Sequence, residues 1–566
     1  MTKDNRMEEL KLYHIISTLN QCSVESVQSG NGFTDIDRYL HTERPVTYEL
    51  IEKMIQINNA GGGIILLVGS AGDGKSHLLS KIKDLDKDNW PLDAFYNDAT
   101  ASCSPNKTAI DTLKEALVDF SDVNIGTTTK RKILAINLGK LNAFIDEPEI
   151  KQQYAEIASA VRPLFEGSVN VPKETDKVKI IEFSNKQIYE FNPNLNGYDA
   201  LKSEFMSQIL AKVVDDNPQN PFFQAYTKDL ESAEDNHKNP IIINFQLLML
   251  PEVRKSIILY VIEAIIRFNL SITPREFLDF IHSIIIPTNY AGYKEDKSFY
   301  ESLLPTLLFK GGDNVILKAL SKLDPLKHSS TVHDSTLSLL FTSNSIPDNF
   351  LQPLSVTSKL PKYMITRTNQ FYNNNGRDIE RTTKFLFRLK HLLSYHSESE
   401  TYMSFIDSLK IVFSEDLNKY SELYQLVSTA IPRHYGSYVV QQDSIPLNIQ
   451  GGKYKMFASL QMSPAMPEYR YNPDKPNEFY PTYKLIWEIP MHNNKDLVID
   501  YSLYSYLYDL SQGKLAITYE NEKDIRFGNF VRDLASISNK SKAILVSNSE
   551  GHDLTMREIF NRIQIQ

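Results

Sequence analysis

The sequence predicts an α/β protein: a parallel sheet covered by helices on both faces, then a helical lid, then helical and mixed α+β C-terminal domains. Three observations carry this. Strand-like segments at 64–68, 132–137 and 178–185 alternate with segments of helical spacing and end in polar or glycine residues. The first run leads into a glycine-rich octet followed by amphipathic residues. From about Phe245 apolar residues recur at helical spacing, and from about Ile431 short alternating segments mix with helices.

Residues 1–60 read as helical. Pro45 and Thr47 open a helix through Tyr48, Ile51, Met54 and Ile55 that stops at Asn58-Asn59 and Gly61 to Gly63. The strand at 64–68 follows, then a helix carrying Leu78, Leu79 and Ile82. Residues 91–100 read as a short strand ending in polar residues, 108–120 as a helix, and 132–137 and 178–185 as further strands. Pro240-Ile241-Ile242-Ile243-Asn244 is expected to repeat the strand arrangement. Residues 251–268 form one long helix, and Thr273-Pro274 opens another with Thr273 as N-cap and Pro274 at its first position. Segments 454–460, 485–489 and 542–546 read as strands. Segments 502–510 and 524–536 read as helices, and a last helix is expected from Thr555.

A chain of 566 residues exceeds one core, and about 150 residues per domain suggests three or four domains. The expected division is a helical region at 1–60, a sheet core at 61–245, a lid at 246–290, a helical domain at 291–430 and a mixed α+β domain at 431–566. A net charge of −9 means that nucleic-acid binding would need a local basic surface. Two distant cysteines, Cys22 and Cys103, exclude a disulfide framework or cysteine zinc motif and suit a reducing compartment. The charged start lacks the apolar core of a signal peptide, and the run at 257–266 is interrupted by Glu263 and too short to span a bilayer. A cytoplasmic protein without a membrane partner is expected.

The octet Gly69-Ser70-Ala71-Gly72-Asp73-Gly74-Lys75-Ser76 satisfies G-x-x-x-x-G-K-[ST]. After a buried strand and before a helix, such glycines turn backbone N–H groups inward around phosphates. Lys75 would neutralise the β- and γ-phosphates, and the Ser76 hydroxyl would sit on Mg²⁺. The expected ligands are ATP and Mg²⁺, held by Gly69 to Ser76 with His77 beside them, on a P-loop NTPase sheet of the additional-strand, AAA-like class.

Hydrolysis also needs a Mg²⁺-linked acid, a residue to orient water, and usually an arginine. Asp98 follows Ala94-Phe95-Tyr96, but Ala99 stands where hydrolytic relatives commonly have Glu. In chain order the third strand ends in neutral Asn137. Asp146-Glu147 supplies an acidic pair only nine residues further on, which reads better as a helix and its exit. The Mg²⁺-linked role is therefore open between Asp98, Asp146 or Glu147, and no full acid pair; the ordinary role of Asp98 would be a cap or Asx-turn. Asn137 is either a γ-phosphate sensor or a strand end satisfying backbone groups. Arg275, at the start of the lid helix, either meets the phosphates or is an exposed terminal arginine.

A second candidate surface is a cationic row, Arg377, Arg381, Lys384, Arg388 and His391, opposite Ile379, Thr382, Leu386, Leu389 and Leu393. On a helix it would extend about 21 Å, enough to track nucleic-acid phosphates, with Phe371 and Tyr372 available to stack. The competing reading is a solvated helix face. Glu149-Ile150-Lys151 and Glu295-Asp296-Lys297 match only a nuclease fragment expected by chance, and no nuclease role is assigned.

Three ordered blocks resemble the DptF/DndF family, the ATPase-like F subunits of bacterial DNA phosphorothioation-dependent restriction systems. They are GSAGDGKSHL from Gly69, NDATAS from Asn97 with Pro105 and TAIDTL from Thr108, and AINLGKL from Ala135. The resemblance is strongest over residues 45–145 and weaker through 273–282 and 500–530. It implies a defence role beside G and H partner subunits, in a complex restricting DNA that lacks the phosphorothioate mark. It carries over Lys75 and Ser76 as nucleotide ligands and Asp98 as a motif residue. The expectation is an ATP-hydrolysing subunit touching DNA directly or through its complex, with a homo-oligomer left open. The alternative is a nucleotide-gated scaffold with little turnover. A signalling ATPase with a repeat sensor domain has no repeat here to support it.

Overall fold

A computed structural model describes residues 10–25, 35–69, 73–83, 88–96, 109–165, 172–183, 187–288, 298–343, 345–348, 350–351, 358–373, 379–414, 417–435, 444–447, 454–465, 473, 476, 481–514, 525–538, 543–548, 553–559 and 562–565. The chain divides into two compact units. One comprises Met1–Tyr189, Ser203–Val261 and Ser271–Tyr395; the other comprises Glu190–Lys202, Ile262–Leu270 and His396–Gln566.

The first unit holds an all-parallel sheet of β1 (Gly63–Gly69), β2 (Phe95–Tyr96), β3 (Arg131–Asn137) and β4 (Val178–Glu182), in the order β2-β3-β1-β4. All of β1 is buried, which is why its sequence is continuously apolar and not alternating. Its side chains still divide by parity. Ile64, Leu66 and Val68 join a core with Leu113, Leu117, Leu141, Phe144 and Ile157. Ile65 and Leu67 join another with Leu50, Met54, Leu78, Leu79 and Ile82. Helices Ala109–Leu117, Leu138–Asp146 and Ala155–Val161 thus cover one face, and Pro45–Asn59 and Lys75–Ile82 the other.

Among the described residues, the rest of this unit is helices and their connections. Segment 240–244 is helix, not strand: it begins Pro240–Met249, where Asn239 accepts the Ile241 N–H at 3.0 Å and Pro240 occupies the first turn. Its continuous apolar run fits a fully buried helix as well as a strand, so spacing could not separate them. Asn244 lies inside that helix and ties Ile285 O, Ser302 O and the Leu304 N–H together. Pro274–Ile285 opens as expected, with Thr273 and Glu276 forming a reciprocal capping box.

The second unit has an antiparallel sheet of Ser444–Pro446, Tyr454–Ser459, Ala543–Asn548, Asp553–Ile559 and Arg562–Ile565, and another built on Tyr483–Glu488 and Lys495–Ile499. Helices include Tyr501–Ser511 and Ile525–Ser538. The helix expected from Thr555 is replaced by strands. Asp553–Ile559 pairs with both Ala543–Asn548 and Arg562–Ile565, and such ladders outweigh the marginal stability of one short helix. Among the described residues, no helix is long and apolar enough to cross a membrane.

Candidate functional site

β1 delivers Gly69 to the C-terminal edge of the sheet, beside Asn137 of β3. Phe183, just past β4, donates its N–H to Val68 O at 2.8 Å. Residues 70–72 lie outside the described chain, which resumes at Asp73. Gly74 has φ +90°, a left-handed conformation that glycine adopts without penalty, and it is the N-cap of Lys75–Ile82. Its carbonyl accepts the Leu78 N–H at 2.9 Å, so the helix forms at once and Lys75 stands in its first turn.

The Lys75 side chain is 11% exposed, with its ammonium 4.0 Å from Asp73 Oδ2. A Cβ on Gly69 would meet that same Oδ2 at 2.4 Å and the Phe183 Cβ at 2.8 Å. A side chain there would force the Phe183 segment to shift, so the strand-to-loop turn is fitted to glycine. The backbones of Ser76 and His77 lie in the helix, but their side chains are outside the described set.

Asn137 caps Leu138–Asp146, its Oδ1 accepting the Gly139 N–H at 2.9 Å. Its side-chain NH₂ has no partner among the described residues. Asp98 lies outside the described residues; the strand that leads to it pairs at Phe95 with Ile133 and at Tyr96 with Leu134. Asp146 closes the helix that Asn137 opens, about 13 Å along its axis at 1.5 Å per residue, and pairs with Lys151 at 3.4 Å. Glu147 links that helix to Pro148–Gln153.

Arg275 is half-buried in the first turn of Pro274–Ile285, and burial depresses its pKa. It has no ion pair or side-chain hydrogen bond among the described residues. Its helix connects to the loop through aromatic rings. Phe277 packs on Phe205 with centroids 6.2 Å apart, and the Arg44 guanidinium lies over Phe205 and Phe183 at 5.9 and 5.8 Å. Arg44 Nη1 donates to Asp73 O at 2.8 Å. Sequence reasoning missed Arg44. An arginine before a proline-opened helix looks like an ordinary surface residue, and its partner is a backbone carbonyl that no side-chain pattern reveals.

The cationic row is not a continuous outward face. Helix Ile379–Leu393 buries Thr382, Thr383, Phe385, Leu386, Phe387, Leu389, His391, Leu392 and Leu393, leaving only a narrow exposed strip. Arg388 makes a bidentate pair with Asp324, Nε–Oδ1 3.1 Å and Nη2–Oδ2 2.6 Å, with the two side chains 14% and 5% exposed. His391 is buried, with Nδ1 2.8 Å from Phe387 O. Arg381 lies 3.7 Å from Glu301, and Lys384 pairs with Glu380 one turn back. Arg377 and the side chains of Phe371 and Tyr372 lie outside the described set. Two of the five expected phosphate contacts are thus internal, because this helix packs on more than one side.

No family model, curated protein or solved structure matches this chain.

Proposed function

We propose that this chain binds ATP with Mg²⁺ on the loop at residues 69–76 and hydrolyses it as a subunit of a complex that restricts DNA lacking phosphorothioate. The observation that carries the nucleotide part is one arrangement: a buried parallel strand ending in a closely packed glycine, a left-handed glycine cap, and a lysine in the first helical turn. In this reading the loop amides cradle the phosphates, Lys75 neutralises the β- and γ-phosphates, and Ser76 and Asp98 hold Mg²⁺. The Asn137 amide orients water or the γ-phosphate. Arg275 meets charge as it develops, which gives a partner to a cation that has none among the described residues.

The strand order agrees with the additional-strand class: β3 intervenes between β1 and the strand leading to Asp98. On that count Asn137 ends the inserted strand, and its neutrality is no obstacle to Asp98 being the acid. The restriction role, the G and H partners and the contact with DNA rest on the resemblance of the three sequence blocks.

A scaffold reading, in which ATP stabilises one docking conformation with little turnover, draws on Ala99 after Asp98 and on the capping duty of Asn137. Mg²⁺-dependent phosphate release separates the two. Turnover that Lys75→Ala abolishes supports the ATPase. ATP binding with release no faster than in Lys75→Ala supports the scaffold.

A further inference from the structure

We infer that Arg44 is a positioning residue for the phosphate loop: its guanidinium fixes the peptide between Asp73 and Gly74 so that the Gly74 N–H is held ready for a phosphate oxygen. The inference rests on the nucleotide reading above and assigns a residue outside the motif to that site.

Arg44 directly precedes Pro45–Asn59 and has an extended backbone, φ −113° and ψ 148°. Its side chain reaches across to the loop, where Asp73 O is the acceptor of Nη1 at 2.8 Å. In a planar trans peptide the C=O and the following N–H point in opposite directions. Holding the Asp73 carbonyl on Arg44 therefore turns the Gly74 N–H away from Arg44. The hold matters because Gly74, at φ +90°, has no Cβ to resist rotation of that peptide. A Cβ added to Gly74 would come within 3.3 Å of Arg44 Nη1, so the guanidinium and the loop backbone are in close contact.

The clamp is itself held. Phe183 is 4% exposed and belongs to the segment that bonds Val68, the residue before Gly69. Phe205 lies on Glu204–Val214. The guanidinium lies over both rings, and its planar fork can rest against them while donating to the loop. Burial lowers the Arg44 pKa and Asp73 opposes that shift; a guanidinium has donors only, so the direction of donation to Asp73 O is fixed. Asp73 O is the one hydrogen-bond acceptor it has among the described residues.

The test compares wild type, Arg44→Ala, Arg44→Lys and Lys75→Ala in the full chain, by calorimetry with Mg-ATP and, separately, inorganic tripolyphosphate. Arg44→Ala should lose about tenfold or more in affinity for both ligands, by the same factor, since the cradle reads phosphate and not base. Arg44→Lys should fall between, and added methylguanidinium should restore part of the Arg44→Ala loss, which a general packing defect would not allow. Wild-type affinity in Arg44→Ala overturns the inference, as does loss of ATP binding with tripolyphosphate unaffected. If Arg44→Ala does not fold, Arg44→Lys decides: a loss common to both ligands supports the clamp, and wild-type affinity overturns it. A folded wild type that binds neither ligand overturns the nucleotide reading itself, whereas a binding wild type with indifferent Arg44 variants overturns only the clamp.

Discussion

Replacing Arg388 by alanine should unfold the first unit more readily and leave DNA binding alone. Asp324 is 5% exposed and receives both its strong bonds from Arg388; Oδ1 also accepts the Leu326 N–H at 3.2 Å. Truncating the arginine strands a carboxylate away from water, a change that typically costs about 3–5 kcal/mol. At about 2.1 cal/mol/K of unfolding entropy per residue, a unit of roughly 370 residues loses about 1.3 °C per kcal/mol, so Tm should fall by roughly 5 °C. Adding Asp324→Asn to Arg388→Ala should recover part of that loss, because no charge is then left buried while an acceptor remains for Leu326. The assays are thermal unfolding of the three variants and DNA titration at several salt concentrations, below the lowest Tm. A Tm within about 2 °C of wild type, together with weaker DNA binding and a shallower salt slope, would refute the internal role and restore Arg388 to a phosphate-contacting surface.

Two further perturbations probe the loop and its flank. Gly69→Ala forces a Cβ to 2.8 Å from the Phe183 Cβ, an atom fixed to the sheet, so overpacking should cost about 1–3 kcal/mol and weaken ATP binding; unchanged Tm and affinity would contradict the close approach. His41 Nε2 lies 2.7 Å from Lys81 Nζ, and burial first, then Lys81 and Lys212, depress the His41 pKa against the weaker pull of Glu43. With the folded value below the unfolded one, the unfolded chain takes up the proton first, so His41 weakens the fold as pH falls below its unfolded pKa near 6.5. His41→Gln should flatten that part of the stability–pH curve, and a curve of unchanged slope would contradict it.

The sheet core was legible because β1 and its neighbours had to be apolar to be buried, and because Asp73-Gly74-Lys75 marks the strand-to-helix turn. Thr273 and Pro274 likewise spelled a helix start. Legibility failed where one pattern serves two structures. Ile241 to Ile243 is as apolar as a buried strand, and only the Asn239 cap and surrounding helices decide otherwise. Arg388 and His391 share the spacing of a solvent-facing row, yet the partner of one is Asp324, 64 residues away, and the other is buried. Arg44 was invisible for a related reason: it bonds a main-chain carbonyl 29 residues away, and main-chain acceptors leave no trace in residue type.

Calorimetric titration of the folded chain with ATP in Mg²⁺ tests whether residues 69–76 cradle a triphosphate. Saturable heat at one site is expected, lost in Lys75→Ala variants that melt like wild type. Absence of heat in folded wild type, or equal heat in Lys75→Ala, would contradict the cradle.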